Sequence, residues 1–211
     1  MNAYHSKFLN SYSAENIVGI FSRYKGSSKE ITESWGMLEA LCRKTKIHED
    51  QLVIVVGDGS SPRTAALVSY FTRAEVISVD PAMNMDHWEE HKKKQSDMGF
   101  PVRRMIVLKA RIEDLEIYAE GRPCTVIFPH SHANMLRVRL VDPGVIDYIS
   151  MPCCKKIHPV LMELEHSIYT DQNILSPKNE IHLWYDLNPG FLLTKPPRNV
   201  DVQLVKPFTK K

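Results

Sequence analysis

No stretch of this 211-residue chain approaches the roughly 18 consecutive apolar residues of a membrane-spanning helix. Its start, MNAYHSKFLNSYSAENIVGIF, lacks the basic segment and apolar run of a secretory leader. A soluble protein without membrane attachment or export address is expected. An excess of charge of one sign is missing too, since 27 Lys and Arg stand against 25 Asp and Glu for a formal net charge of +2. Nucleic-acid binding is therefore not indicated by charge, although it is not excluded. Cysteine is sparse: Cys42, Cys124, Cys153 and Cys154 show no C-x-x-C pair and no disulfide framework. That usage fits a reduced, cytoplasmic compartment. Internal repeats, low-complexity tracts and a second-domain linker are absent, and 211 residues at 43% apolar suffice for one sizeable core.

What is present is an alternation of strand-like and helix-like segments. Residues 1–29 read as an N-terminal arm or first helix, and residues 30–211 as the main domain. EITESWGMLEALCRKTK (30–46) places Ile31, Trp35, Leu38, Leu41 and Cys42 at helical spacing. QLVIVVG (51–57) is a continuously apolar strand of the kind buried on both faces of a parallel sheet. SPRTAALVSYFTR (61–73) follows as a crossover helix with proline near its first turn, and EVISVDP (75–81) as the second strand. MDHWEEHKKKQSDMG (85–99) reads as a helix with a solvated charged face, VRRMIVLKA (102–110) as a strand and IEDLEIYAE (112–120) as a short helix. CTVIFPHSHAN (124–134) and VIDYISMPCC (145–154) are further strands with their loops, and HPVLMELEHSIY (158–169) reads as helical. EIHLWYDL (180–187) and VDVQLVKPF (200–208) are separated only by a Pro-rich turn, which predicts an antiparallel terminal hairpin.

The segment VIVVGDGSSPRTAALVSYFTRAEVISVDP (53–81) carries the chemistry. A Gly-rich turn between strand and helix lets backbone approach a ligand, and an acid at the end of the next strand is placed to bond two ribose hydroxyls. Gly57, Asp58, Gly59, Ser60 and Ser61 form the candidate turn and Asp80 the ribose acceptor. The bland reading is a tight turn and a helix cap. Arg63 is placed either to face a ligand carboxylate or to pair with the IED loop.

This order of β/α units, with its antiparallel end, resembles the class I S-adenosylmethionine-dependent methyltransferases over roughly residues 30–208. The resemblance implies a three-layer, Rossmann-like α/β fold. Its seven-stranded, mostly parallel sheet would run 3-2-1-4-5-7-6 with one antiparallel strand and helices on both faces. It further implies S-adenosylmethionine as cofactor, with Asp80 on the ribose and Ile112 and Glu113 flanking the adenine. FPHSHAN would then lie at the mouth where the methyl group is delivered, making His130, His132 and Asn134 candidate catalytic residues. An imidazole there either removes a proton from the acceptor or caps the strand and its loop.

The chain departs from that pattern in two places. Val55 stands where the family usually carries an acid, and Ser61 and Pro62 stand in the region of its third glycine. Either Asp58 takes over the contact to the cofactor's amino group or nothing does. The fourth motif also lacks the Asp/Asn-Pro-Pro-aromatic sequence of amino-methylating enzymes. Cys153, Cys154 and His158 could join His130 and His132 as a thiolate and imidazole set, but neighbouring cysteines chelate poorly together, so no metal is expected. The two function classes left are an S-adenosylmethionine-binding, methyltransferase-like enzyme of unknown acceptor and a catalytically degenerate scaffold that binds a protein partner. Nicotinamide dinucleotide binding is less favoured because the full G-x-G-x-x-G turn is missing.

Overall fold

The computed structural model describes residues 1–12, 14–21, 26–43, 47, 49–99, 102, 104–153, 157–188 and 203–206. Along the chain the strands are β1 (Leu52–Val56), β2 (Glu75–Val79), β3 (Met105–Leu108), β4 (Leu115–Tyr118), β5 (Cys124–Pro129), β6 (Leu140–Val141), β7 (Ile146–Met151), β8 (Ser167–Thr170), β9 (Glu180–Leu187) and β10 (Gln203–Val205). The helices are α1 (Ala3–Leu9), α2 (Ala14–Phe21), α3 (Ser27–Cys42), α4 (Arg63–Phe71), α5 (Met85–Asp97) and α6 (Pro159–Met162). β1 and β2 are buried at all five positions each: β1 is a run of apolar residues, and in β2 the buried Glu75 pairs with Arg122 at 2.6 Å and the Ser78 hydroxyl donates to Asp58.

Seven strands form one sheet in the order β3-β2-β1-β5-β7-β9-β8. Numbered within that sheet alone, this is the order 3-2-1-4-5-7-6 implied by the methyltransferase resemblance. β9 is the one reversed strand, running antiparallel to both β7 and β8, while the other pairs are parallel. Side chains alternate along β1. Val53 and Val55 enter a core with Phe8, Ile17, Met37, Leu67 and Trp88 from the five longer helices. Leu52, Ile54 and Val56 enter a second core with Leu115, Ile117, Leu140, Leu161 and Trp184. That second face is covered by α6, two 3-10 turns and a small parallel sheet of order β10-β4-β6.

Three local expectations are corrected. Residues 112–120 are not a helix but a 3-10 turn followed by β4, because Leu115, Ile117 and Ala119 are buried at every second position. Residues 158–169 are helical only at Pro159–Met162 and enter β8 at Ser167. The terminal hairpin is replaced by β8 and β9, closed by a turn in which Asp171 accepts the Asn173 N–H and pairs through its backbone with Asn179. β10 instead joins β4 in the small sheet, in parallel. The intervening residues 189–202 lie outside the described set.

The amino-terminal segment packs on the same core as the sheet. Tyr4 and Phe8 of α1 and Ile17, Ile20 and Phe21 of α2 are buried, and the Tyr4 hydroxyl donates to the Asp171 carboxylate. α5 packs against α2, burying His87, Trp88, His91 and Gln95 while its charged residues face out. His91 Nε2 and Gln95 Oε1 have no hydrogen-bond partner among the described residues. Burial, with His87 and Lys94 nearby, lowers the His91 imidazole from its ordinary 6.5 to about 4. The unfolded chain takes up this proton below pH 6.5 and the folded chain only below about 4. The stability tied to neutral His91 is thus complete above pH 6.5 and is lost as pH falls towards about 4. His91→Leu is expected to flatten the fall of unfolding free energy between pH 6.5 and 4.5, recovering on the order of 2 kcal/mol at the acid end in urea titrations. An unchanged slope would remove His91 as the acid-labile group.

Candidate functional site

The chain leaves β1 through Gly57, Asp58 and Gly59, and the two glycines take φ values of +89° and +80°. Gly57 is also sterically required, because a Cβ there would lie 2.9 Å from the Cα of Ser131 in the loop after β5. The turn therefore sits where β1 and β5 diverge to opposite halves of the sheet, the switch point at which open α/β sheets form ligand crevices.

Asp58 is directed inward. Its Oδ1 accepts the Thr64 N–H at 2.9 Å, and its Oδ2 accepts the Ala65 N–H at 3.0 Å and the Ser78 hydroxyl at 3.2 Å. Burial raises the acid's pKa while these amides and Arg63 oppose the rise. The carboxylate thereby closes the N-terminus of α4, the place where a dinucleotide's pyrophosphate would otherwise bind. Asp80 ends β2 and ties the turn down: its Oδ2 accepts the Gly59 N–H at 2.8 Å and its Oδ1 the Ala82 N–H at 2.7 Å. Ser60 and Ser61 are not among the residues that line the crevice. The Ser60 carbonyl accepts the Asn84 N–H, and the buried Ser61 hydroxyl lies 3.3 Å from His87 Nδ1.

Above the turn lies a cleft of about 450 Å³. Gly57, Gly59, Asp80, Ile112, Glu113, His130 and His132 all line it, so residues up to 75 positions apart in sequence (57 to 132) meet at one opening. Ile112 and Glu113 reach it from the 3-10 turn before β4, which Arg139 steadies by donating to the Glu113 carbonyl at 2.7 Å. Asn134 lies in a neighbouring recess of about 280 Å³, and its side chain accepts the Leu136 N–H.

A second chamber, about 390 Å³, adjoins the first across Gly57, Gly59 and His130, which line both. Its far wall is α3, with Lys29, Glu30 and Glu33, and its floor includes Arg63 of α4. His130 adopts φ of +52° at the end of β5 and places Nε2 2.7 Å from Glu33 Oε1. Lys29 Nζ is 3.0 Å from the same oxygen, and Arg63 pairs with Glu30 at 3.2 Å rather than with the IED loop. Burial would raise the Glu33 carboxyl, but bonds and charge from His130 and Lys29 hold it below the ordinary carboxylate range. An ionised Glu33 can only accept, so His130 donates to it from Nε2, and its Nδ1 has no partner among the described residues.

The three α3 side chains were not singled out from sequence. In the structure Glu33 stands in the buried stretch from Thr32 to Leu38, where an acid is costly without a partner. His132 Nε2 lies 3.1 Å from Cys153 Sγ, and His158 instead caps α6 through the Val160 N–H. Cys154 is outside the described residues. Among the described residues no group of three or more His, Cys, Asp or Glu is placed to hold a metal ion. Nor is any described helix long and apolar enough to cross a membrane.

No family model and no curated protein matches the chain. Solved structures show partial likeness. MtNAS in complex with MTA and tNA is 14% identical over 89% of this chain and 70% of that one, with a TM-score of 0.48. A SAM-dependent methyltransferase from Aquifex aeolicus is 14% identical over 85% and 96%, with a TM-score of 0.42. The antibiotic-resistance methyltransferase Kmr is 14% identical over 72% and 91%, with a TM-score of 0.40. Overlaps this loose leave every residue's role to be argued from the site itself.

The clasp made by Asp58 is open to direct test. Asp58→Ala strands two buried helix N–H groups and is expected to cost about 1–3 kcal/mol in urea unfolding. A loss below about 0.5 kcal/mol, the scale of an ordinary surface substitution, would mean that water replaces the carboxylate.

Proposed function

We propose that the chain binds S-adenosylmethionine at the β1/β5 switch point and acts as a methyltransferase-like protein. The observation that carries this reading is the cleft of about 450 Å³, in which the glycine turn, the strand-end acid Asp80 and the Ile112–Glu113 turn converge. The residues present suit an adenosine. Asp80 has a carboxylate at the cleft wall for ribose hydroxyls, Ile112 offers an apolar face to the base, and Gly57 and Gly59 allow close backbone approach. Asp58 supports the same choice over a dinucleotide, because its buried carboxylate already bonds the first amides of α4 and would repel a pyrophosphate.

S-adenosylmethionine, when bound, supplies an electrophilic methyl group on sulfonium sulfur. The protein's part in such a displacement is chiefly alignment of the acceptor. His130 and His132, at the shared edge of the cleft, are the groups positioned to take a proton from an acceptor, with Asn134 holding the loop that carries them.

Thermal unfolding with S-adenosylmethionine, S-adenosylhomocysteine and NAD tests the reading. At about 100 times its dissociation constant a ligand adds roughly 2.7 kcal/mol, so the first two are expected to raise the midpoint by roughly 5–10 °C and NAD to leave it in place. Absence of any shift would favour the scaffold reading, in which the turn survives as shape alone. A second expectation concerns the ribose acceptor. Asp80→Asn is expected to weaken binding of S-adenosylhomocysteine by about tenfold or more in calorimetry, and unchanged affinity would sink that assignment.

A further inference from the structure

The cysteines among the described residues stand in surroundings that differ in kind. Cys124 is buried in the sheet, and burial pushes its thiol up to about 12. Cys42 ends α3, where local burial and the Glu39 carboxylate raise its thiol above the ordinary value. Cys153 follows β7, is partly open, and has a base beside it. Its Sγ lies 3.1 Å from His132 Nε2 and 3.5 Å from the His130 carbonyl oxygen. The thiolate is the nucleophilic form of cysteine, and an imidazole within hydrogen-bond reach is a group that generates it near neutral pH.

Cys153 also faces a cavity of about 670 Å³ that lies between the segment after β7, α6 and the β8–β9 hairpin. That volume is the size of a small-molecule site. His182 lines it with a side chain only 4% exposed, held by stacking on His166 and Trp184 and by Glu180 Oε1 at 2.8 Å from its Nε2. The Nδ1 atom of His182 has no hydrogen-bond partner among the described residues. A buried ring nitrogen in that condition is satisfied when a polar guest occupies the cavity. Ile157 and Met162 give the guest an apolar wall, and Lys178 and Glu180 give it one charge of each sign. A small peptide, with amide, apolar and charged groups in short compass, meets all of these.

We propose that Cys153 is a modification site, a thiol that His132 deprotonates and that exchanges with small peptide disulfides held in this cavity. In the exchange His132 Nε2 takes the thiol proton, and the Cys153 sulfur forms a bond to one sulfur of the disulfide while the disulfide's own S–S bond breaks. The departing thiolate then takes the proton from the imidazolium. Cys153 is oxidised to a mixed disulfide, half of the reagent is reduced to a free thiol, and no further oxidant is needed. The exchange requires nothing bound in the adenosine cleft, so it stands apart from the methyltransferase reading.

The test is the rate of modification of the reduced, full-length chain by glutathione disulfide, followed by mass spectrometry with peptide mapping. Cys153 is expected to react at least about tenfold faster than Cys42 near pH 7. His132→Ala is expected to slow Cys153 about tenfold near pH 7 and to converge on wild type above about pH 9.5, where the thiol ionises unaided. A merely structural role for His132 would not give that convergence. Reaction no faster than at Cys42, label carried by Cys154 instead, or a His132→Ala profile that superposes on wild type would overturn the site. The cavity is tested with 2-hydroxyethyl disulfide, which has the same reactive bond and no peptide. Glutathione disulfide is expected to react about fivefold or more faster than this reagent, and Lys178→Gln to narrow the difference. Equal rates for the two disulfides would overturn the peptide class of the reagent.

Discussion

The buried carboxylate of Asp58 joins three elements that the sequence brings together only at this point. It bonds the first amides of α4 and the hydroxyl of Ser78 in β2, and the residue itself lies between the two glycines of the turn that leaves β1. Nearly everything at the crevice depends on that clasp. With Asp58 fixed inward, Gly59 is free to be held from the other side by Asp80, and the turn stands open between two cavities instead of closing over one. An acid that looks like a ligand contact in the sequence has its carboxylate engaged as an internal strut.

Much of the architecture was legible because burial leaves a strong imprint on composition. LVIVV is apolar on both faces and EVISV is so after its first residue, which marks covered parallel strands, and the glycines and Pro62 mark the turn into α4. Gly57, Gly59 and Asp80 could be gathered from the turn after one strand and the acid ending the next, whereas Ile112 and Glu113 came with the methyltransferase resemblance. Shorter elements were hidden. β4 has four residues and β8 four, too few for period-2 alternation to stand out against a helical pattern, and β8 lies at a sheet edge with mostly exposed side chains. The parallel pairing of β10 with β4 was beyond reach, because no local signal tells a strand to cross to another sheet.

The α3 wall was missed for a different reason. Helical periodicity rewards the apolar positions, Trp35, Leu38 and Leu41, and treats Glu33 as surface unless its partners are known. Those partners are Lys29, one turn before it, and His130, nearly a hundred residues later. Only the folded chain shows that a charged side chain on the inner face of α3 is compensated, and compensation is what separates a site from a defect.

The small sheet gives the second core an order of completion. β10 pairs Leu204 with Glu116 and Val205 with Ile117, and Val205 is buried in the core that also holds Leu115, Ile117 and Trp184. A strand made halfway through synthesis therefore waits for one made near residue 203 before that side is sealed. Until then the helical face of the sheet can settle while β4 still lacks its neighbour on the β10 side. Such long-range closure is slow to form and early to open. In a growing chain this is the face where a nascent protein is sticky longest, and in the finished one it is the seam along which a protease or a chaperone would find it first.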